Sequence, residues 1–195
     1  MYNEVKNRGI QIEILVNDAG MGSYGEFIET DIHKDLDIIQ LNTSSLVVLT
    51  KLFLQDMVAR GSGKILNLAS IASTSPGPYQ AVYHATKAFV LSFSEAVRSE
   101  VKDKGVTITA LLPGATDTDF FNKADMLNSK IVQDKSSLAS AEEVAKDGYE
   151  ALMNGNDKVI SGFKNKVQVA MSNFIPDSVA ADMMGKKQEP VEAGK

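Results

Sequence analysis

Lys64-Ile65-Leu66-Asn67-Leu68-Ala69-Ser70, followed by Tyr83-His84-Ala85-Thr86-Lys87, is the stretch whose reading decides the fold. The first part is a short apolar run with a polar exit, the pattern of a buried β-strand. The second part opens a long helical pattern in which Tyr83 and Lys87 stand at i and i+4 and share a face. The strand end brings Ser70 towards that face. An ammonium close to a phenol favours the phenolate and lowers its pKa, and a tyrosine tuned in this way can exchange a proton with a substrate oxygen near neutral pH. Ser70 can hydrogen-bond the same oxygen. Tyr-x-x-x-Lys recurs at Tyr2–Lys6, so the spacing alone singles out nothing. Ser70, 13 residues before Tyr83, makes the second copy different.

Outward from this stretch the chain alternates. Residues 2–8 read as the end of a polar helix stopped by Gly9. Ile12–Val16 is a strand ending in the turn signature Asn17-Asp18-Ala19-Gly20. Residues 31–59 carry helical periodicity through Leu36, Ile39, Leu46, Leu49, Phe53 and Met57, with Thr30 or Asp31 placed to cap them. The Tyr83 helix runs to about Lys104. Val106–Leu112 is a β-branched strand closed by Pro113-Gly114. Residues 115–139 read as a mobile loop with a short helix near 119–123, where Met126 and Leu127 either line a pocket or close the core. A helix over 141–153 and a strand over 158–160 complete the body. Residues 164–175 place Val167, Met171 and Phe174 on one face, expected to pack on that body. The organisation is therefore a domain over 1–162, a helical extension over 163–185 packed on it, and a disordered polar tail over 186–195. Strand–helix alternation predicts an α/β fold with a parallel sheet. Ligands of such sheets bind at the C-terminal strand ends, where Asn17, Ser70 and Pro113 all fall.

At 195 residues the chain can bury the core of one domain. The net charge of −5, with no basic block, argues against nucleic acid as a partner. The sequence has no cysteine, which removes thiolate metal sites and cysteine nucleophiles and suits a reducing, cytoplasmic setting. No signal core and no apolar run long enough to span a bilayer is read in it. His33 and His84 read as surface residues, and no cluster suggests a metal. A hydrolase built on Ser70 lacks the Gly-x-Ser-x-Gly elbow and a paired histidine.

In order, Asn17-Asp18-Ala19-Gly20, Asn42, Ser70, Tyr83, Lys87 and Pro113-Gly114 resemble the classical short-chain dehydrogenase/reductase family over about Ile12 to Ile160. The resemblance implies a Rossmann-like three-layer parallel sheet with helices on both faces. It implies NAD(P)-dependent interconversion of a carbonyl and an alcohol on a small-molecule substrate. Tyr83 then matches the general acid/base, Ser70 the residue that orients the substrate oxygen, and Lys87 the residue that holds the nicotinamide ribose and tunes the tyrosine. Asn42 matches the asparagine of the proton relay. Asn17, Ala19 and Gly20 match the turn lining the cofactor groove, with Asp18 replacing an amide by a carboxylate. Pro113, Gly114, Thr116 and Thr118 resemble the segment that meets the nicotinamide carboxamide, alongside Tyr83 and Lys87. The helices around 42–58 and 80–103 would permit a homo-oligomer.

One part of the family pattern is absent from these residues. The opening strand, the Thr-Gly-x-x-x-Gly-x-Gly turn that cradles the cofactor pyrophosphate and the following strand are not in the sequence. The expected sheet is thus N-terminally truncated to about four strands, with the Ile12 strand as an apolar edge. NAD or NADP binding is expected to be impaired. The alternative is an inactive remnant that acts through association with a partner chain at that edge.

Overall fold

The computed structural model describes residues 1–133, 138–172 and 174–191. In chain order the strands are β1 (Ile14–Asn17), β2 (Gly63–Leu68), β3 (Val106–Leu112), β4 (Thr116–Asp117), β5 (Ala139–Ser140) and β6 (Lys158–Ile160). The helices are α1 (Tyr2–Asn7), α2 (Ile32–Ile39), α3 (Leu46–Arg60), α4 (Ala81–Val101), α5 (Phe120–Lys123), α6 (Lys130–Gln133), α7 (Ala141–Met153), α8 (Phe163–Ser172) and α9 (Asp177–Gln188). The main sheet has the order β1-β2-β3-β6, and every neighbour pair is parallel.

The side-chain alternation of each strand assigns the layers. On one face, Leu15, Ile65 and Ile108 pack with Phe53 and Met57 of α3 and Val101 of α4, while Ala110 and Leu112 meet Leu46 and Val90. On the other face, Leu66 and Leu111 pack with Val144 and Leu152 of α7. The sheet is therefore sandwiched between helices on both faces, as the strand–helix alternation predicts. Ile65 and Ile108 are fully enclosed, and each such side chain contributes about 1.5–3 kcal/mol through burial.

β1 is an edge of the sheet. Its inner face carries Leu15 and Asn17, whereas Ile14 and Val16 are exposed. The strand begins two residues later than the apolar run suggests: residue pairing with β2 starts at Ile14, and Glu13 O accepts from Lys64 N at 3.0 Å just ahead of it.

The helical run from Ile32 to Arg60 is long and apolar enough, by length and composition, to cross a bilayer, which the sequence reading did not anticipate. Here it serves as a core helix, with Phe53 and Met57 against the sheet. Asp31 caps its start, accepting from His33 N at 2.9 Å. It is not one regular helix: Gln40–Ser45 form a π-helical turn between α2 and α3. Regular periodicity across 31–59 concealed this extra residue in the turn.

Three expectations change. The 115–139 segment contains α5, α6 and a small parallel pair of β4 with β5, while residues 134–137 lie outside the described residues. Val167, Met171 and Phe174 do not pack on the body; they are exposed, and Val169 is the buried residue of α8. The polar tail starts later than residue 186: Lys186–Gln188 finish α9, Gln188 is buried, and Pro190 bridges to Ser129. Residues 192–195 lie outside the described residues.

Candidate active site

Ser70 leaves β2 in an extended conformation and caps the short 3-10 turn Ile71–Thr74, its hydroxyl accepting from Ala72 N at 3.1 Å. The same hydroxyl donates to Pro113 O at 3.4 Å, so the ends of β2 and β3 are tied together at one rim. Ser70 is buried. A serine in this place does two jobs: it stops the strand and leaves an oxygen at the sheet's C-terminal edge.

Tyr83 lies in the first turn of α4. Its ring packs on Phe120 of α5, with centroids 5.2 Å apart, and meets His84 edge-on at 6.2 Å. Gly22 faces this stack. A Cβ there would lie 2.8 Å from the tip of the Phe120 ring, so a larger residue would push that ring aside as the loop after β1 closes over the tyrosine. Burial pushes the Tyr83 phenol up to about 12, and hydrogen bonding with Ser70 works against that rise. This reverses the expectation that the neighbouring lysine draws the phenol down: burial is the largest cause and it acts upward.

Lys87 stands one turn further along α4, with Nζ 5.7 Å from the Tyr83 ring centroid. It is buried and donates to Leu68 O at 2.8 Å. Burial draws its pKa down to about 8, while the Asp18 carboxylate holds it up. The carboxylate that departs from the family's amide therefore acts on the buried ammonium.

Asn42 sits in the π turn and is buried. Its Oδ1 accepts from Met21 N and its Nδ2 donates to Met21 O, both at 2.9 Å, with a further bond to Thr86 Oγ1 at 3.0 Å. This clamps the loop after β1 to α4. A Cβ on Gly20 would come within 3.4 Å of Asn42 Oδ1 and 3.5 Å of Lys87 Nζ, so the Ala19-Gly20 backbone runs directly beside both residues.

The other predicted residues are placed as follows. Asn17 turns its side chain inward, donating to Thr50 Oγ1 at 3.0 Å and to Asn67 Oδ1 at 2.8 Å. Ala19 and Gly20 are exposed at the rim. Pro113 and Gly114 follow β3 beside Ser70, and Thr116 donates to Gly114 O at 3.0 Å. Thr118 is exposed, and its hydroxyl accepts from Phe120 N at 3.3 Å, so it steadies the helix that carries Phe120. The second Tyr-x-x-x-Lys copy is far from this rim in role: Tyr2 and Lys6 both bond Asp56, at 3.1 and 3.0 Å.

Several residues here escaped the sequence reading. Asn67 joins Asn17 to Ser94 through a bond of 2.9 Å, a polar chain through the sheet–helix interface. His84, read as a surface residue, is buried. Its Nδ1 donates to Ser75 O at 2.9 Å, and its Nε2 accepts from Gln188 Nε2 at 3.2 Å. Gln188 also donates to Gln80 Oε1 at 3.0 Å, which fastens the end of α9 to the start of α4. Nothing local marks Gln188; only the return of the chain explains its burial. Met126 is enclosed with Phe121 and Ala124, closing a small core, while Leu127 is exposed. No group of three or more potential metal ligands occurs among the described residues.

Comparison with known proteins identifies the family and the fold. The family model described as short chain dehydrogenase matches residues 1–127. The chain is 34% identical over 160 residues to 17-beta-hydroxysteroid dehydrogenase type 3 of Mus musculus, covering 80% of this chain and 49% of that protein. It is 39% identical over 122 residues to very-long-chain 3-oxoacyl-CoA reductase of Rattus norvegicus, covering 58% of this chain and 38% of that protein. The chain thus spans about half the length, or less, of these curated relatives. Among solved structures, a short-chain dehydrogenase from Sphingobium yanoikuyae in complex with NADPH superposes with a TM-score of 0.75 at 26% identity, over 93% of this chain and 73% of that one.

Proposed function

The chain belongs to the short-chain dehydrogenase family, and from that premise we propose that Ser70, Tyr83, Lys87 and Asn42 form a site that interconverts a carbonyl and an alcohol with NAD or NADP. The observation that carries the reading is convergence. Lys87 Nζ lies 5.7 Å from the Tyr83 ring centroid, and Ser70 ties the ends of β2 and β3 together through Pro113 O, at the edge where open parallel sheets bind ligands.

The residues fit the nicotinamide–ribose end of such a cofactor. An ammonium has three donors, and Leu68 O takes one of those on Lys87, leaving two for ribose hydroxyls. Ala19 and Gly20 would line the same side, and Pro113, Gly114, Thr116 and Thr118 would face the carboxamide. Residues 1–195 contain no Thr-Gly-x-x-x-Gly-x-Gly turn for the pyrophosphate, so we expect the 195-residue polypeptide to bind NAD(P) weakly.

The bound nicotinamide supplies the hydride for reduction at the substrate carbon, or accepts it in oxidation. Tyr83, whose phenol is protonated at neutral pH, gives its proton to the substrate oxygen in the reductive direction. Ser70, turning its one hydroxyl proton from Pro113 O, donates a hydrogen bond to that oxygen and fixes its position. The Lys87 ammonium stabilises the phenolate left behind. Asn42 holds the Met21 loop and α4 in register, which keeps Lys87 beside the loop. The names of the two mammalian relatives point to bulky apolar carbonyl compounds as the substrate class.

The test is reduction of a panel containing a 3-oxoacyl thioester and a 17-ketosteroid, with NADH and NADPH at high concentration. Turnover of either substrate supports the reading. A chain that is folded yet turns over neither, with either cofactor, favours the second reading: association with a partner chain along β1, where Ile14 and Val16 are exposed.

A further inference from the structure

We propose that α8 is a docking helix for a negatively charged phospholipid surface. Its outward face is apolar along its whole length. Phe163 is 80% exposed, Val167 42% and Met171 60%, and Phe174 just beyond the helix is 89% exposed. Isolated exposed apolar residues are ordinary, but a contiguous row of this kind marks an interaction surface. At about 100° per residue, Ala170, Phe163, Val167 and Met171 fall on one arc. Lys166 borders that arc on one side and Lys164 on the other. The opposite side of the helix is fixed to the body: Val169 is buried, and Asn165 lies over Gly114, where a Cβ would come within 2.5 Å of its amide.

An apolar stripe with lysines on both borders matches a helix lying in the plane of a lipid interface. The stripe enters the acyl boundary while the lysine stems follow it and their ammonium heads stay among the phosphates. Residues 161–176 carry Lys164 and Lys166 and no acidic residue, in a chain whose net charge is −5. The positive charge is thus placed locally against the overall balance. The same distribution disfavours a second copy as occupant: a two-fold contact of α8 with α8 would set lysines against lysines without an acidic partner in the segment. Val179 and Met183 of α9 are also exposed, at 46% and 49%, but Asp177 and Asp182 balance Lys186 and Lys187 there, so the basic borders belong to α8. The inference stands apart from the oxidoreductase reading, because no step of it involves Tyr83 or a cofactor.

Co-sedimentation of the 195-residue chain with vesicles tests it. Vesicles of phosphatidylcholine mixed with phosphatidylglycerol should bind the chain, and raised salt should weaken that binding. Phe163→Ser/Met171→Ser should reduce it at least tenfold with an unchanged circular dichroism spectrum. Lys164→Glu/Lys166→Glu should remove the preference for phosphatidylglycerol over phosphatidylcholine alone. Three results would overturn the proposal: no binding to either vesicle, binding unmoved by both double variants, or a dimer in sedimentation velocity that Phe163→Ser/Met171→Ser converts to monomer.

Discussion

Asp18 and Lys87 are coupled across the loop after β1: the Asp18 carboxylate raises the pKa of the Lys87 ammonium, which burial draws down to about 8. Without the carboxylate, desolvation acts alone and the lysine loses its charge more easily. Asp18→Asn is therefore expected to lower the Lys87 pKa further. In a pH–rate profile of the reductase reaction, the alkaline limb should move to lower pH. An alkaline limb identical to that of the wild type would show that the carboxylate does not act on the ammonium.

Lys87 also makes stability depend on pH, and the sign follows from its direction of shift. Its folded pKa of about 8 lies below the ordinary 10.5, so between these values the unfolded chain binds more protons. Stability from this group therefore rises as pH goes from about 8 to 10.5. Below pH 8 the lysine is charged in both states and its burial is most unfavourable. Lys87→Met should raise stability at neutral pH by about 1–3 kcal/mol and flatten the rise. Urea unfolding across that pH range measures both effects. Tyr83 acts in the opposite sense at higher pH: its folded value of about 12 exceeds the ordinary 10.0, so its contribution is lost as pH rises through that interval.

Phe120 packs on the Tyr83 ring, with centroids 5.2 Å apart. Phe120→Ala should hydrate the phenol and bring its pKa down towards the ordinary value. Ultraviolet titration of the variant, with the Tyr83→Phe background subtracted, should show ionisation at lower pH than in the wild type. An unchanged titration would assign the raised value to some other wall of the site.

Asn67 ties Asn17 to Ser94 inside the sheet–helix interface. Asn67→Ala leaves the Asn17 amide with one of its two partners and takes the Asn67 acceptor and donor out of the chain of bonds. Leaving such buried groups unmatched costs about 1–3 kcal/mol. A loss of that size is expected in the denaturant midpoint, with no shift in the pH profile of activity. A change in the profile would place Asn67 in the chemistry.

The sequence carries the centre of the candidate site because that centre is local. Tyr83 and Lys87 are one helical turn apart, and Ser70 ends the strand before them, so helix geometry and strand polarity suffice to bring them together. The four-strand parallel sheet followed from apolar runs alternating with helical periods. What stayed hidden depends on distance along the chain or on competition between effects. Gln188 reaches His84 across 104 residues, and no local pattern marks it. The π turn at Asn42 leaves helical periodicity nearly intact. The phenol of Tyr83 moved up and not down because its burial by Phe120 and the Gly22 loop is a tertiary fact. The outward face of α8 misled for a different reason: an apolar stripe says that something covers it, and not that the chain itself does.

The most direct test of the account is the reduction of a carbonyl substrate by the wild type and by Tyr83→Phe, at matched cofactor occupancy. Loss of the proposed proton donor should lower kcat/KM at least about a hundredfold while cofactor affinity stays within a factor of about two of the wild type, since the proposal gives the nicotinamide side to Lys87 and the loop beside it. Retention of wild-type kcat/KM in Tyr83→Phe would contradict the assignment of this rim as the reacting site.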